Sequence, residues 1–263
     1  MTRIVLDTKK SLAENAEEYF NRAKKARKKM EGALLTLERT RKKAGELARQ
    51  REAKEKEQQE HQEEKRKQQW YEKFRWFISS EGFLVIGGRD APTNEIIVKK
   101  HMEKEDMVFH TDMAGSPFFV IKTEGREPGQ ITIQEVASAT YVFSRAFKLG
   151  HLSTQVFWVK PEQVSKEAKA GEFLPRGAFM IRGKTNYVKP EIDVAIGRAK
   201  DGAIMCGPRN AVKTNCEKML ELVQGEGKPS DIAKQVRTKL DGVLDEIIRA
   251  LPSGNVVVKK DKR

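Results

Sequence analysis

The chain of 263 residues has few cysteines and no long apolar segment. No apolar stretch approaches the ~20 residues that span a bilayer. No charged start followed by an apolar run marks a signal peptide. These absences argue against a membrane or secreted protein and predict a cytoplasmic one. In that compartment we expect Cys206 and Cys216 to be buried free thiols rather than a disulfide.

Large apolar side chains are also scarce, and the shortage is local. Aromatic residues make up 7% of the chain and hydrophobic residues 38%, which is low for a single compact globule. Residues 1–70 hold 20 Lys and Arg against 13 Asp and Glu, with few large apolar side chains. The rest contains ordinary core-forming strings such as Phe83–Ile86. We therefore expect a non-globular arm over residues 1–72, followed by domains with a real core.

Positive charge is spread over the whole chain, with a net charge of +13 and a pI near 9.6. A basic surface of this size attracts polyanions through phosphate contacts and counterion release. Nucleic acid is the commonest partner for such a balance, and anionic membrane is the second. Charge alone does not decide between a bound polyanion and mere solubility.

Small and apolar residues of the arm recur at alternating spacings of four and three, which is typical of a coiled-coil seam. The seam comprises Leu12, Ala16, Tyr19, Ala23, Ala26, Met30, Ala33, Leu37, Thr40, Ala44 and Leu47. Two arrangements are compatible with it. One is a single helix of about 65 residues, roughly 100 Å long. The other is an antiparallel hairpin with its tip near Gly45, favoured slightly because the two halves match in length.

The remaining residues predict an α+β fold, with a compact module over residues 73–189 and a small C-terminal α+β unit over 190–263. Trp70, Phe74 and Phe77 continue the spacing of the arm and are expected to dock it. The module's predicted strands are Phe83–Ile86, Met107–His110, Phe118–Lys122, Gln155–Val159 and Ala178–Arg182, and its helices are Pro92–His101 and Thr132–Lys148. The last unit should contain strands at 192–197, 203–206, 219–223 and 256–258, and a helix capped by Ser230 that runs to about Ala250.

Four strings, in order, resemble the NFACT RNA-binding module of the NEMF and RqcH family of ribosome-associated quality control factors. They are WYEKFRWFISSEGFLVIGGRDAPTNE from Trp70, FHTDMAGSPFFVIK from Phe109, WVKPEQVSKEAKAGEFL from Trp158 and GAFMIRGKTNY from Gly177. Residues Leu6–Lys29 resemble the start of that family's coiled-coil middle region, though more loosely. In the family this region is a helical hairpin, so the resemblance supports the hairpin.

The resemblance implies that the chain binds tRNA and the large ribosomal subunit, both rRNA and proteins, on stalled complexes. Family members promote tailing of the nascent chain, and they carry an N-terminal NFACT domain that we do not find in this sequence. We therefore expect binding without tailing. The resemblance also implies an N-terminal NFACT domain as a partner, linked or separate.

The first candidate RNA-contacting residues follow a Gly-Gly turn and open a predicted helix. Arg89 would meet phosphate, while Asn94 and Glu95 would read a base edge or a ribose hydroxyl. Alternatively, Asp90 and Asn94 simply cap the helix. Lys99 and Lys100 at its end would extend the contact, or merely complement the helix dipole.

Further candidates are scattered over later segments. His110 and Asp112 alternate on a strand edge, where a hydrogen-bonded pair near RNA is more plausible than a metal site. Arg182-Gly183-Lys184-Thr185 looks like the end of a Walker A loop, but its glycine spacing is wrong and an apolar strand precedes it. We expect Arg182 and Lys184 to be phosphate contacts, with Lys166, Lys169 and Arg176 extending the patch. On the arm, either a solvated face or an RNA-binding stripe explains Lys24, Lys25, Arg27, Lys28 and Lys29.

No nucleophile–base pair, carboxylate dyad or metal-ligand set is apparent, so the sequence predicts a protein that is not an enzyme and uses no cofactor or metal. The leading hypothesis is an RNA-binding component of ribosome-associated quality control. The rival is a structural adaptor whose coiled coil self-associates or docks on a protein without binding RNA. An enzyme acting on RNA ranks third.

Overall fold

The computed structural model describes residues 4–60, 66–151, 154–167, 174, 177–254 and 256–259. The chain divides into two compact units, Met1–Lys65 and Arg66–Arg263. The second unit includes both the predicted module and the predicted C-terminal unit. Helices and sheets are both present, so the α+β class is confirmed.

The first unit is built around a single helix, α1 (Leu12–Glu60). Its start is set by a capping box, in which the Ser11 hydroxyl accepts from the Glu14 N–H and the Glu14 carboxylate accepts from the Ser11 N–H. The helix passes through Gly45 without a break, so the turn that we expected there is wrong. One glycine costs about 1 kcal/mol relative to alanine, which is too little to end a helix between strong helix formers such as Ala44 and Leu47.

The apolar positions of α1 face solvent within this unit. Leu12, Met30, Leu37 and Leu47 of the seam are all more than half exposed. Within residues 4–60, α1 is the one helix, and no second helix covers the seam. The structure therefore confirms a long N-terminal helix, while the coiled-coil pairing stays a prediction.

The second unit contains two antiparallel sheets and a short hairpin. The strands are β1 Arg75–Ile78, β2 Leu84–Gly87, β3 Met107–Thr111, β4 Phe119–Lys122, β5 Val156–Val159, β6 Val164–Ser165, β7 Met180–Ile181, β8 Asn186–Val188, β9 Val194–Ala199, β10 Ile204–Gly207, β11 Cys216–Gln224 and β12 Val256–Val258. The larger sheet has the order β1-β2-β4-β3-β5-β8, the smaller sheet has the order β10-β9-β11-β12, and β6 pairs with β7.

Short helices connect and cover these sheets. They are α2 Ala91–Ile96, which continues as a π-helical turn Ile97–His101, α3 Gln130–Val142, α4 Arg145–Lys148, a 3-10 turn Pro161–Gln163, α5 Arg209–Asn215, α6 Pro229–Leu240 and α7 Leu244–Ala250.

The larger sheet is buried on both faces, because its strands alternate between two clusters of apolar side chains. Side chains such as Val85 and Phe109 belong to the cluster shared with α3 and the smaller sheet. Their neighbours Ile86 and Val108 belong to the other cluster, which includes Ile97 of the π-helical turn and partners in the β6–β7 hairpin. The second face is thus covered by two small elements. Several of the predicted RNA-contacting residues lie on these elements or directly beside them.

The segment after the arm differs from the prediction. Trp70, Phe74 and Phe77 continue the four-three spacing of the arm, which is typical of a helix, but Phe77 lies in β1, opposite Val85 of β2. Phe77 is fully buried between the two sheets, against Phe119 and beside Gly207. A four-three spacing over three aromatic residues is too short to distinguish a helix from a turn that leads into a strand.

Two predicted helices are each divided into two. Ser144 separates α3 from α4: its hydroxyl donates to the Tyr141 carbonyl and accepts from the Phe147 N–H, so it caps α4. The helix predicted from Asp231 to about Ala250, with Ser230 as its cap, begins instead with Pro229 at its first position. It ends at Asp241, which adopts a left-handed conformation with φ of 54° before α7 begins.

Both cysteines are free thiols, as predicted. Cys206 is buried and Cys216 is partly buried, and burial raises the pKa of each thiol to about 12. Neither is therefore a reactive thiolate at neutral pH.

Glu135 of α3 is a buried carboxylate held against the turn between β1 and β2. One carboxylate oxygen accepts from the Ser80 N–H, while the other has no hydrogen-bond partner. Burial raises the pKa of Glu135, and the nearby carboxylates of Glu81 and Asp193 add to the effect. Because the folded state favours the protonated form, this carboxyl stabilises the fold below its ordinary pKa, and that contribution is lost as pH rises through the raised pKa.

We expect Glu135→Gln to raise the free energy of unfolding at pH 7.5, since glutamine resembles the protonated carboxyl. The advantage over wild type should shrink toward pH 4, where the native glutamate is itself protonated. Urea denaturation of both proteins at the two pH values measures this. An equal difference at both values would show that burial of the charge is not the cause.

Candidate nucleic-acid interface

The turn between β2 and α2 is held by polar side chains that were candidate RNA contacts. Asp90 caps α2: its carboxylate accepts from the Thr93 N–H at 2.8 Å, and the Thr93 hydroxyl accepts from the Asp90 N–H at 3.0 Å. The Asn94 side chain is only 8% exposed, and its amide oxygen accepts from the Phe118 N–H at 3.1 Å. A Cβ at Gly88 would lie 1.8 Å from that oxygen, so glycine is required there. Asp90 is therefore the helix cap, whereas Asn94 does not cap α2 but joins it to the start of β4.

Arg89 points away from α2 and contacts α7. Its guanidinium donates to the Arg249 carbonyl at 2.6 Å, while its Nε is buried without a hydrogen-bond partner. Burial lowers the pKa of Arg89, and it lowers that of Arg75 to about 10, with Arg89 adding to the effect on Arg75. Both side chains line a cavity of about 30 Å³ that also includes Glu72 and Glu246. This volume suits a water molecule rather than a phosphate group.

The cationic candidates of α2 and of the β6–β7 hairpin come together around Glu95. Its carboxylate forms ion pairs with Lys99, at 3.6 Å, and with Lys166. The neighbouring Glu167 lies 3.9 Å from the guanidinium of Arg182. Although these residues are far apart in sequence, the fold therefore places them on one surface.

The loop that carries Arg182 and Lys184 is fastened to the 3-10 turn. The Gln163 side-chain amide donates to the carbonyls of both residues, at 2.8 and 2.9 Å. Gly183 between them has a φ of 83°, a conformation that suits glycine. We call the exposed set Lys99, Lys100, Lys166, Arg182 and Lys184 the basic face. Its side chains remain in solvent and can exchange their surface ion pairs for phosphates, because such pairs contribute little.

His110 lies beneath this surface rather than on it. Its Nδ1 lies 2.6 Å from the Thr111 carbonyl, and its ring packs against Phe118 at 4.4 Å. Burial lowers the pKa of His110, so the ring is neutral at physiological pH. Across the part of the chain that the structure describes, no three His, Cys, Asp or Glu side chains converge as metal ligands.

The arm contributes cations in a separate unit. Lys24, Lys25, Arg27, Lys28 and Lys29 are all exposed on α1. Lys169 and Arg176, expected to extend the patch, lie outside the described residues. None of the described helices is long and apolar enough to cross a bilayer.

An aromatic stack at the end of the π-helical turn was not predicted as a site. The rings of Trp70 and His101 are stacked, with centroids 4.6 Å apart and planes 16° apart. Phe74 meets His101 edge-on at 5.3 Å. The signal in the sequence was Trp70 itself, which we had assigned to docking of the arm.

Comparison with known proteins identifies the domain that carries these features. Residues 73–183 match the NFACT protein RNA binding domain. This chain belongs to the NFACT family. The match includes four of the five residues of the basic face; Lys184 lies just beyond it and Trp70 just before it.

Curated NFACT relatives extend the similarity beyond the matched domain. The "Archaeal Rqc2 homolog aRqcH" of Methanocaldococcus jannaschii is 42% identical over 73% of this chain and 30% of its own length. The human "Ribosome quality control complex subunit NEMF" is 38% identical over 67% of this chain and 16% of its own. The chain thus spans less than a third of the length of these relatives.

A solved structure, the C-terminal part of the fibronectin/fibrinogen-binding protein of Streptococcus suis, is 22% identical. It has a TM-score of 0.38 over 50% of this chain and 49% of that chain. An overlap of this quality does not bear on the fold.

We expect Asn94→Ala to destabilise the domain by about 1–3 kcal/mol, because the buried Phe118 N–H would lose its acceptor. Lys99→Ala, on the same helical segment but exposed, should change the free energy of unfolding by less than about 0.5 kcal/mol. Chemical denaturation measures both. Equal effects of the two substitutions would contradict the anchoring role of Asn94.

Proposed function

We propose that this chain is an RNA-binding part of a ribosome quality control factor, and that it contacts tRNA and the large ribosomal subunit. The observation that carries the proposal is the basic face, which lies almost entirely within residues matching the NFACT protein RNA binding domain. A relative is named as a subunit of a ribosome quality control complex, and this name supports ribosome quality control as the process in which the chain acts.

The geometry suits recognition of a phosphate backbone. Five cations lie on two adjoining small elements, and the carboxylates that pair with them among the described residues are Glu95, which is mostly covered, and the exposed Glu167. Phosphate contacts position a protein on RNA without reading its sequence. The role is therefore binding and placement, without a chemical step by this chain.

The cations of the arm fit the same function. Since α1 carries the five exposed cations of the 24–29 segment, it offers a second phosphate-binding stripe on a separate unit. Once one basic surface has bound an RNA molecule, it holds the other surface near the same molecule. The effective concentration for the second contact is therefore raised.

Charge reversal of Lys100, Arg182 and Lys184 to Glu should weaken tRNA binding at least tenfold near 0.1 M salt. Each lost phosphate contact removes roughly 0.7–0.9 from the slope of log affinity against log salt, so the slope should flatten by about 2–3. Fluorescence anisotropy with labelled tRNA across a salt series measures both quantities, and co-sedimentation tests binding to purified large subunits.

The matched control variant reverses the charge of Lys213, Lys218 and Lys239 by substitution with Glu. These three lysines are exposed on the C-terminal part of the second unit. This triple variant has the same net charge but an intact basic face. It should bind tRNA almost as wild type does. If the two triple variants lose affinity equally, binding reflects net charge and the assignment of the face is wrong.

The second candidate function, a coiled-coil adaptor, is favoured by the exposed seam of α1. It predicts that the protein self-associates and that the double variant Met30→Glu/Leu37→Glu is monomeric in sedimentation equilibrium. The control, Leu34→Glu/Leu35→Glu, changes exposed leucines of the same helix outside the seam and should still associate. A wild-type monomer that binds tRNA in a salt-dependent manner would exclude self-association as the main role.

A further inference from the structure

We propose that Trp70, held by His101, is a stacking platform for an unpaired nucleobase of the bound RNA. This inference rests on the proposed function and names how part of that surface recognises its ligand. Trp70 lies outside the residues that match the RNA-binding domain, so the site extends that domain at its N-terminal side.

The first argument is the exposure of the indole. Trp70 is 46% exposed, although tryptophan is costly to leave in water. One side of its ring is stacked on His101, and Tyr71 meets it edge-on at 5.8 Å. A ring supported in this way keeps its orientation and presents its remaining surface to solvent. A planar base can add to such a stack at little entropic cost.

The second argument is the rigidity of the support. His101 is the last residue of the π-helical turn, and its carbonyl accepts from the buried Lys122 ammonium at 2.9 Å. That ammonium also forms an ion pair with Asp106 at 2.6 Å. The edge-on contact of Phe74 holds the imidazole from another direction. The platform is therefore built on elements of the core rather than on a free loop.

The third argument is the charge around the platform, which selects an anionic ligand. Lys73 lies over the Phe74 ring at 5.0 Å, and Lys100 directly precedes His101. Both ammonium groups, together with Lys122, are close enough to lower the pKa of His101, although burial is the larger cause. An apolar protein partner would gain nothing from these lysines, whereas a nucleotide places its phosphate among them.

The position of the platform joins it to the basic face. Lys99, Lys100 and His101 are consecutive residues of one π-helical turn. A strand whose phosphates contact these lysines therefore lies next to the residue on which the Trp70 ring stacks. Aromatic stacking tolerates any base, so the ligand class is single-stranded RNA, such as a loop or a tRNA end, rather than a duplex.

The test compares two oligomers of eight nucleotides, one oligoadenylate and one abasic with the same phosphates. Trp70→Ala in the full chain should weaken oligoadenylate binding roughly 5- to 100-fold, the range expected for loss of one stacked base. The affinity for the abasic oligomer and the salt dependence of binding should be the same as in the wild type. Trp70→Phe should recover most of the affinity because it keeps a ring.

Tryptophan fluorescence supplies an independent readout. The chain has three tryptophans, of which Trp76 and Trp158 are partly buried in strands. Oligoadenylate should quench the emission of the wild type, and the quenching should be largely lost in Trp70→Phe although that variant still binds. The control is Tyr187→Ala, which removes an aromatic ring that is 55% exposed on the far edge strand and should leave affinity unchanged.

Three results would overturn the inference. Wild-type affinity of Trp70→Ala for oligoadenylate would show that no base stacks there. An equal loss for the abasic oligomer would show that the substitution acts through folding or charge. Absence of salt-dependent binding of either oligomer by the wild type would overturn the proposed function itself, which distinguishes that failure from the first two.

Discussion

The position of the basic face in the second unit depends on one buried hydrogen bond, from the Phe118 N–H to the Asn94 amide. This bond fastens the first turn of α2 to the start of β4 across 24 residues of sequence. It forms because Gly88 leaves room for the amide, which any side chain would fill. The π-helical turn continues from α2, so the placement of Lys99, Lys100 and His101 follows from this anchor. A neutral buried amide can serve here without the desolvation cost of a charged group.

Charge is distributed in two different ways within the same unit. Lys122 and Asp106 form a buried ion pair that carries no accessible charge. The basic face, in contrast, consists of side chains whose ion pairs lie in solvent and are easily exchanged. Net charge does not distinguish these populations. The RNA-binding capacity therefore depends on which cations the fold leaves without a strong internal partner.

Much of the fold could be predicted from the sequence where apolar residues alternate. The strands at Phe83–Ile86 and Phe118–Lys122 were expected within one residue of their observed bounds, since both are buried apolar runs next to turn residues. Strand β1 was missed because its aromatic residues happened to continue the period of the arm. The uninterrupted path of α1 through Gly45 was one of two alternatives, and the hairpin was slightly favoured, in part because a glycine after two lysines resembles a helix end. The residues around such a glycine do not show whether the helix ends there or continues.

The sequence allowed several residues of the candidate site to be named, but it did not show which of them lie together. Lys99, Lys166 and Arg182 could be named as cations, yet only the fold brings them together around Glu95 and Glu167. Asp90 and Asn94 could be interpreted as RNA contacts or as helix caps, because capping and RNA recognition use the same residue types.

Trp70 was assigned to docking of the arm, because a large aromatic residue next to a helix is typical of packing. Its exposure depends on how the chain turns before β1, which the residues near it in sequence do not specify. In this protein, two polar residues that resemble ligand contacts, Asp90 and Asn94, form hydrogen bonds within the fold, while Trp70, an aromatic residue that resembles core, is 46% exposed. The long, mobile stems of the lysines suit phosphates, whose positions vary along a strand. A supported indole suits a base, whose flat face requires a fixed plane.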